Sequence, residues 1–143
     1  MRRVVVTGLG LVTPLGVGIE HNWRRLTNGE SGLSSIQSFD VSDLPCKVAG
    51  SVPRGNIADG NFNADDFVSS KEQRRVDQFI IFGIAAAVQA VEDSGWMPED
   101  EYDRERTGVM IGSGIGGLQT IYEGSTLLNE RGPRKVGPFF IPS

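Results

Sequence analysis

The feature that most constrains this 143-residue chain is the run Phe79 to Val91, FIIFGIAAAVQAV, which is apolar on nearly every side when wound as a helix. An ordinary surface helix hides one stripe, whereas a helix of this kind must be covered all round. Gly83 and Ala85 to Ala87 would let neighbours approach its backbone closely. Ser69-Ser70-Lys71-Glu72 has the S-x-x-E form of a capping box, and Gly95 followed by Pro98 supplies a stop, so one helix is expected from near Ser69 to Ser94. The apolar run contains Gly83 and Gln89 and is shorter than the ~20 residues a membrane span needs, so no membrane segment is expected.

A sheet is the natural source of that cover. Arg2 to Thr7, with its continuous valines, reads as a strand buried on both faces, the habit of a central parallel sheet, and Gly8-Leu9-Gly10 ends it. Thr107 to Ile111 reads as a second short buried strand. Ile19, Trp23 and Leu26 recur at helical spacing before Gly29, which predicts a helix over 19–28. Leu118, Ile121, Tyr122 and Leu128 predict another to about Glu130, broken by Gly132-Pro133. Between Ser31 and Asn63 lies a loop-rich excursion with one strand candidate, Lys47 to Val52; so long a connection is either functional or packed on other parts of the molecule. The order of elements is that of an α/β protein, and it is incomplete. Two strands cannot cover an all-round apolar helix, so more sheet or a partner is required.

Function classes narrow next. Fourteen basic against eighteen acidic side chains give a formal charge of −4, which disfavours nucleic acid as a partner. One cysteine, Cys46, excludes an internal disulfide and fits a reducing compartment, so a cytoplasmic protein is expected. The basic start Met1-Arg2-Arg3 is followed by too short an apolar run for a signal peptide. Nineteen glycines point to many tight turns or close backbone approaches.

The stretch 111–117, IGSGIGG, holds Gly112, Gly114 and Gly117 in the G-x-G-x-x-G spacing of a dinucleotide-binding turn. Such a site also needs an acidic residue about 20 positions on, at the tip of a second strand. Glu130 stands near that distance but at the end of a predicted helix, so close packing or a pocket-lining role is the better reading of these glycines. Cys46 and His21 are the only residues of their kinds and offer a poor Cys–His pair or zinc set. Ser113 lacks the G-x-S-x-G register of a hydrolase elbow. Lys71, Arg74 and Arg75 fall at i, i+3 and i+4, placing three cations on one helical face, either solvated or docking an acidic partner. From its own residues the chain carries binding features and no catalytic set.

Five segments in order, RRVVVTGLGLVTPLG at 2–16, KEQRRVDQF at 71–79, VQAVEDSG at 88–95, IGSGIGG at 111–117 and GPRKVGPFFIPS at 132–143, resemble the N-terminal third of the type II β-ketoacyl-acyl-carrier-protein synthases, condensing enzymes of bacterial fatty acid synthesis. The resemblance implies a thiolase-like α/β fold, incomplete here, and a homodimer when complete. It implies a decarboxylative Claisen condensation of acyl thioesters with malonyl-carrier protein, and no nicotinamide or metal cofactor. The family's nucleophilic cysteine and two histidines lie beyond position 143, so Cys46 and His21 inherit no role, and the chain alone is expected to be inactive. Ile115 matches the position that limits acyl-chain length; Phe140, with Phe139 beside it, matches a pocket-lining aromatic contributed across the dimer. Lys71, Arg74 and Arg75 match the positions that meet acyl carrier protein. The alternative is a non-catalytic module that binds acyl carrier protein or serves as a chain-length partner.

Overall fold

A computed structural model describes residues 3–141. The chain divides into two compact units, one of residues 1–63 and 86–95, the other of residues 64–85 and 96–143.

In the first unit, β1 (Val12–Thr13) pairs antiparallel with β2 (Gly16–Val17), opposing Val12 to Val17 and Thr13 to Gly16. The hairpin leads into α1 (Ile19–Thr27), and Asn22 is the residue that joins them. Its amide donates to the Gly16 carbonyl at 3.1 Å and the Gly18 carbonyl at 2.7 Å, and its oxygen accepts from the Thr13 hydroxyl. Asn22 is buried, and these partners remove the cost of burying a polar group. Arg25 extends the junction by donating to the Leu15 carbonyl at 2.6 Å and the Glu30 carboxylate at 2.7 Å. The excursion contains one more two-stranded ladder, β3 (Ser34–Ser35) with β4 (Val48–Ala49), so the Lys47–Val52 candidate contracts to two paired residues. Phe62 anchors the excursion's end, its ring fully buried with the Arg54 guanidinium 4.9 Å above it.

The second unit opens with the expected capping box: Ser69 Oγ accepts the Glu72 amide and meets the Glu72 carboxylate at 2.6 Å. The helix it starts, α2 (Ser70–Gln73), lasts one turn. A turn follows, and a separate helix α3 runs over Gln78–Ser94, of which residues 78–85 belong to this unit and 86–94 to the first. The single helix expected over Ser69–Ser94 is therefore two, the second starting after Asp77, whose backbone carbonyl accepts the Ile80 amide at 3.1 Å and whose carboxylate accepts the Gln78 amide at 2.6 Å. Beyond α3, α4 (Glu101–Glu105) is capped by Asp100, and α5 (Leu118–Arg131) begins directly after the glycine loop. A 3₁₀ turn at Pro133–Lys135 then leads into the tail.

Neither expected central strand forms a ladder among the described residues. Arg2 lies outside them; Val4 is 94% exposed, and in the second segment Met110 is 98% exposed. A strand exists only through its hydrogen-bonded neighbours, and the described residues supply none to either segment. The same shortage of cover shows on α3, where Ile81 and Ala85 are buried while Val88 and Val91 remain exposed, against the expected all-round burial. No helix of the described residues is long and apolar enough to cross a membrane.

Candidate functional site

The glycine loop has the context of a phosphate-binding turn and not its chemistry. It does open a helix, α5, whose first-turn amides attract anions. That position is already taken by the chain's own carboxylate. Asp77 Oδ2 accepts the Thr120 amide at 3.2 Å and the Thr120 hydroxyl at 2.9 Å, and a Cβ placed on buried Gly117 would come within 2.8 Å of the same oxygen. Burial pulls the Asp77 carboxyl upward, but hydrogen bonds from Gln78 and Thr120 outweigh it and hold the group below the usual aspartate value. An ionised carboxylate at the helix N-terminus would repel a pyrophosphate there. Glu130 stands at the far end of α5, as the sequence placed it.

Six side chains are assigned roles by the family resemblance, and the fold brings four of them together. Arg74, Arg75, Phe139 and Phe140 line one cleft of about 240 Å³, with Thr120 and Leu127 of α5 in its wall. The Arg75 guanidinium lies 5.0 Å from the Phe139 ring centroid. Phe140 packs so closely on α5 that a Cβ at Gly124 would stand 2.5 Å from its ring. The cleft thus has an aromatic floor and a cationic rim, tempered by Glu123, which also lines it. Lys71 lies outside this lining. The helix break also separates the three cations: Lys71 is in α2, Arg74 is its C-cap and Arg75 follows, so they do not share one continuous helical face as the spacing predicted. All three are exposed.

Ile115 stands apart from the cleft, 74% exposed near the end of the glycine loop. The loop follows the first half of α3, with Phe79 and Ile111 in van der Waals range of the positions a Cβ would take on Gly116 and Gly83. A larger apolar groove of about 640 Å³ in the first unit is bounded by Leu9, Leu11, Trp23, Leu26 and Leu33 and contains none of the six.

The poor nucleophile candidates gain nothing from the fold. Cys46 is exposed and its thiol donates to the Val48 carbonyl at 3.3 Å. His21 lies against Gly16 and Gly60, with Nδ1 3.3 Å from the Arg24 guanidinium. Sequence reasoning passed over Asp77. Its signal was present, because an Asp immediately before an apolar periodic run marks a helix start, but the Ser69 capping box had already claimed that start.

A family model described as β-ketoacyl synthase, N-terminal domain, matches residues 1–143. The chain is 51% identical over 142 residues to a 3-oxoacyl-[acyl-carrier-protein] synthase 2 of Rhizobium meliloti (strain 1021), covering 99% of this chain and 34% of that protein. It is 46% identical to the synthase of the same name from Vibrio cholerae serotype O1, covering 99% and 32%, and 43% identical to the mitochondrial 3-oxoacyl-[acyl-carrier-protein] synthase of Arabidopsis thaliana, covering 99% and 33%. The chain therefore spans about a third of the length of these relatives. Among solved structures, the ishigamide ketosynthase/chain length factor superposes with a TM-score of 0.73 at 24% identity, over 98% of this chain and 33% of that one, a likeness of fold.

Proposed function

The chain belongs to the β-ketoacyl synthase family, whose N-terminal-domain model matches residues 1–143, and from that premise we propose that it supplies the acyl-pocket and carrier-docking portion of a 3-oxoacyl-carrier-protein synthase. The reaction served is the decarboxylative condensation of an acyl thioester with malonyl-carrier protein in fatty acid biosynthesis, carried out in the cytoplasm by a homodimer when the domain is whole. Residues 1–143 are the N-terminal portion of that domain, with 31–63 an excursion within it.

The observation that carries this reading is the end-to-end match to the family, 51% identity over 142 residues with one relative. The cleft supports the assignment of roles. Arg74 and Arg75 present cations to an acidic carrier protein from a molecule whose net charge is −4, and Lys71 adds a third on the neighbouring turn. Phe139 and Phe140 give the cleft an apolar lining suited to an acyl chain; Ile115, outside that lining, takes its role as chain-length stop from the family resemblance alone. Titration of acyl carrier protein against wild type and Arg74→Glu/Arg75→Glu tests the docking role: charge reversal should weaken binding on the order of tenfold and flatten its salt dependence. Unchanged affinity would remove these arginines from docking.

A second reading is a non-catalytic carrier-binding module, for which Arg74 and Arg75 of the cleft suffice without any nucleophile. It shares the docking surface. Purified 143-residue chain should bind carrier protein and release no carbon dioxide from malonyl-carrier protein; release would demand a nucleophile or base this reading denies.

A further inference from the structure

We propose that Asp77 is the positioning residue of the glycine loop, its carboxylate tying the start of α5 to the start of α3 and so fixing where Ile115 stands. The loop is otherwise weakly held. A Cβ at Gly112 or Gly114 would meet no atom within 4 Å, and Gly112 to Ile115 are all exposed. α5 begins on Gly117, which has no side chain with which to cap it. The third helical residue, Thr120, would leave an orphan amide.

Asp77 satisfies that amide from 43 residues away. Its Oδ2 accepts both Thr120 hydrogens while its Oδ1 accepts the Gln78 amide, so one carboxylate is bonded in the first turns of two helices at once. Hydrogen bonds to an ionised acceptor are shorter and about twice as strong as neutral ones. Gly117 adds a steric condition, because any side chain there would press on Oδ2. Ile115 is two residues before Gly117, so a shift in the start of α5 is passed to it through two peptide units. The consequence for acyl selection rests on the chain-length role proposed above; the tie itself does not.

Amide hydrogen exchange on the 143-residue protein reads the tie directly. In Asp77→Asn, peptides covering 112–120 should exchange about tenfold faster, the change expected when a charge-assisted hydrogen bond worth about 1.4 kcal/mol is lost. Thr120→Val should give a smaller rise and Thr120→Ser should restore the wild-type rate, while peptides from α1 stay unchanged in all three. Should Asp77→Asn fail to fold, the Thr120 pair decides alone. Loop exchange that stays at the wild-type rate in Thr120→Val, or a rise in α1 that keeps step with the loop, would overturn the proposal.

Binding of octanoyl- and palmitoyl-pantetheine provides the second readout. Asp77→Asn should narrow the difference in affinity between the two, a change that a merely structural role would not produce. If wild-type protein binds neither, the acyl reading falls, and the exchange comparison still decides whether Asp77 holds the loop.

Discussion

Two glycine-rich segments of this chain are similar on paper and opposite in the fold. Gly8-Leu9-Gly10 lies against the second half of α3, so closely that a Cβ on Gly10 would collide with the Ala86 carbonyl and one on Gly8 with the Ala90 carbonyl and Ser94. The Leu9 amide reaches the Asp93 carboxylate at 2.9 Å and the Leu11 amide the Gln89 side chain at 3.4 Å. Gly112 and Gly114 have open space where Gly8 and Gly10 have backbone. Glycine content alone therefore says little; what the missing side chain makes room for decides its role. In the first segment it is a helix; at Gly112 and Gly114 of the second it is nothing within the described residues, while Gly117 of the same loop makes room for the Asp77 carboxylate.

The sharpest way to break that contrast is Gly10→Ala. The methyl group must displace helix backbone rather than a flexible side chain, so urea unfolding should report a loss of about 2 to 3 kcal/mol, the upper range for overpacking a tight contact. A loss below about 0.5 kcal/mol, the range of ordinary surface changes, would mean the strand-like segment does not lie on α3 as described.

Next in size is the acid response of Asp77, which tests whether the open loop has a fixed end. Its folded pKa is depressed, so its contribution to stability is fully present above the unfolded-chain value of about 3.9 and is lost as pH falls through the lower folded value. Loop protection, taken as the exchange rate relative to the intrinsic amide rate at each pH, should fall in wild type below about pH 4, and Asp77→Asn should remove that acid-induced step. Acid response at an undiminished slope in Asp77→Asn would assign it to other carboxylates.

The contrast also explains what could be read from the sequence. Helix starts and stops were legible because they are local: α1 ends at Thr27, with Asn28 as its C-cap before Gly29, which has a φ of 71°, the Ser69 capping box forms, and α5 ends at Arg131 before Gly132. The two strands were not, because Val4 to Val6 and Val109 to Ile111 carry strand propensity without the neighbours that make a strand. The break at Asp77 was missed for the opposite reason, a second local start signal hidden behind a stronger one eight residues earlier. At the site, the meeting of Arg74 and Arg75 with Phe139 and Phe140 could not be read at all, since no periodicity links positions so far apart. Only the family resemblance placed them in one function.

A smaller effect on stability and a larger one on selectivity are expected from Ile115→Phe. The side chain is 74% exposed, so the melting transition should move by less than the equivalent of about 0.5 kcal/mol. In a protein carrying the whole condensing domain, the added ring should reject long acyl primers and keep short ones, overpacking a formed pocket costing about 1 to 3 kcal/mol. Equal use of both primers would take Ile115 out of chain-length control and leave the loop's glycines without a functional claim.

The smallest effect closes the comparison from its other side. Gly112→Ala adds the same methyl group as Gly10→Ala, in a segment where it meets no atom within 4 Å and where the backbone is outside the left-handed region. The substitution should be neutral or slightly stabilising, by up to about 0.5 kcal/mol, because alanine restricts the unfolded chain more than glycine does. Urea midpoints of the two variants measured side by side then give the contrast as one number. If Gly112→Ala proves as costly as Gly10→Ala, the loop is packed against something that the 143-residue chain meets only in solution, such as a second copy, and a concentration-dependent midpoint would identify that copy.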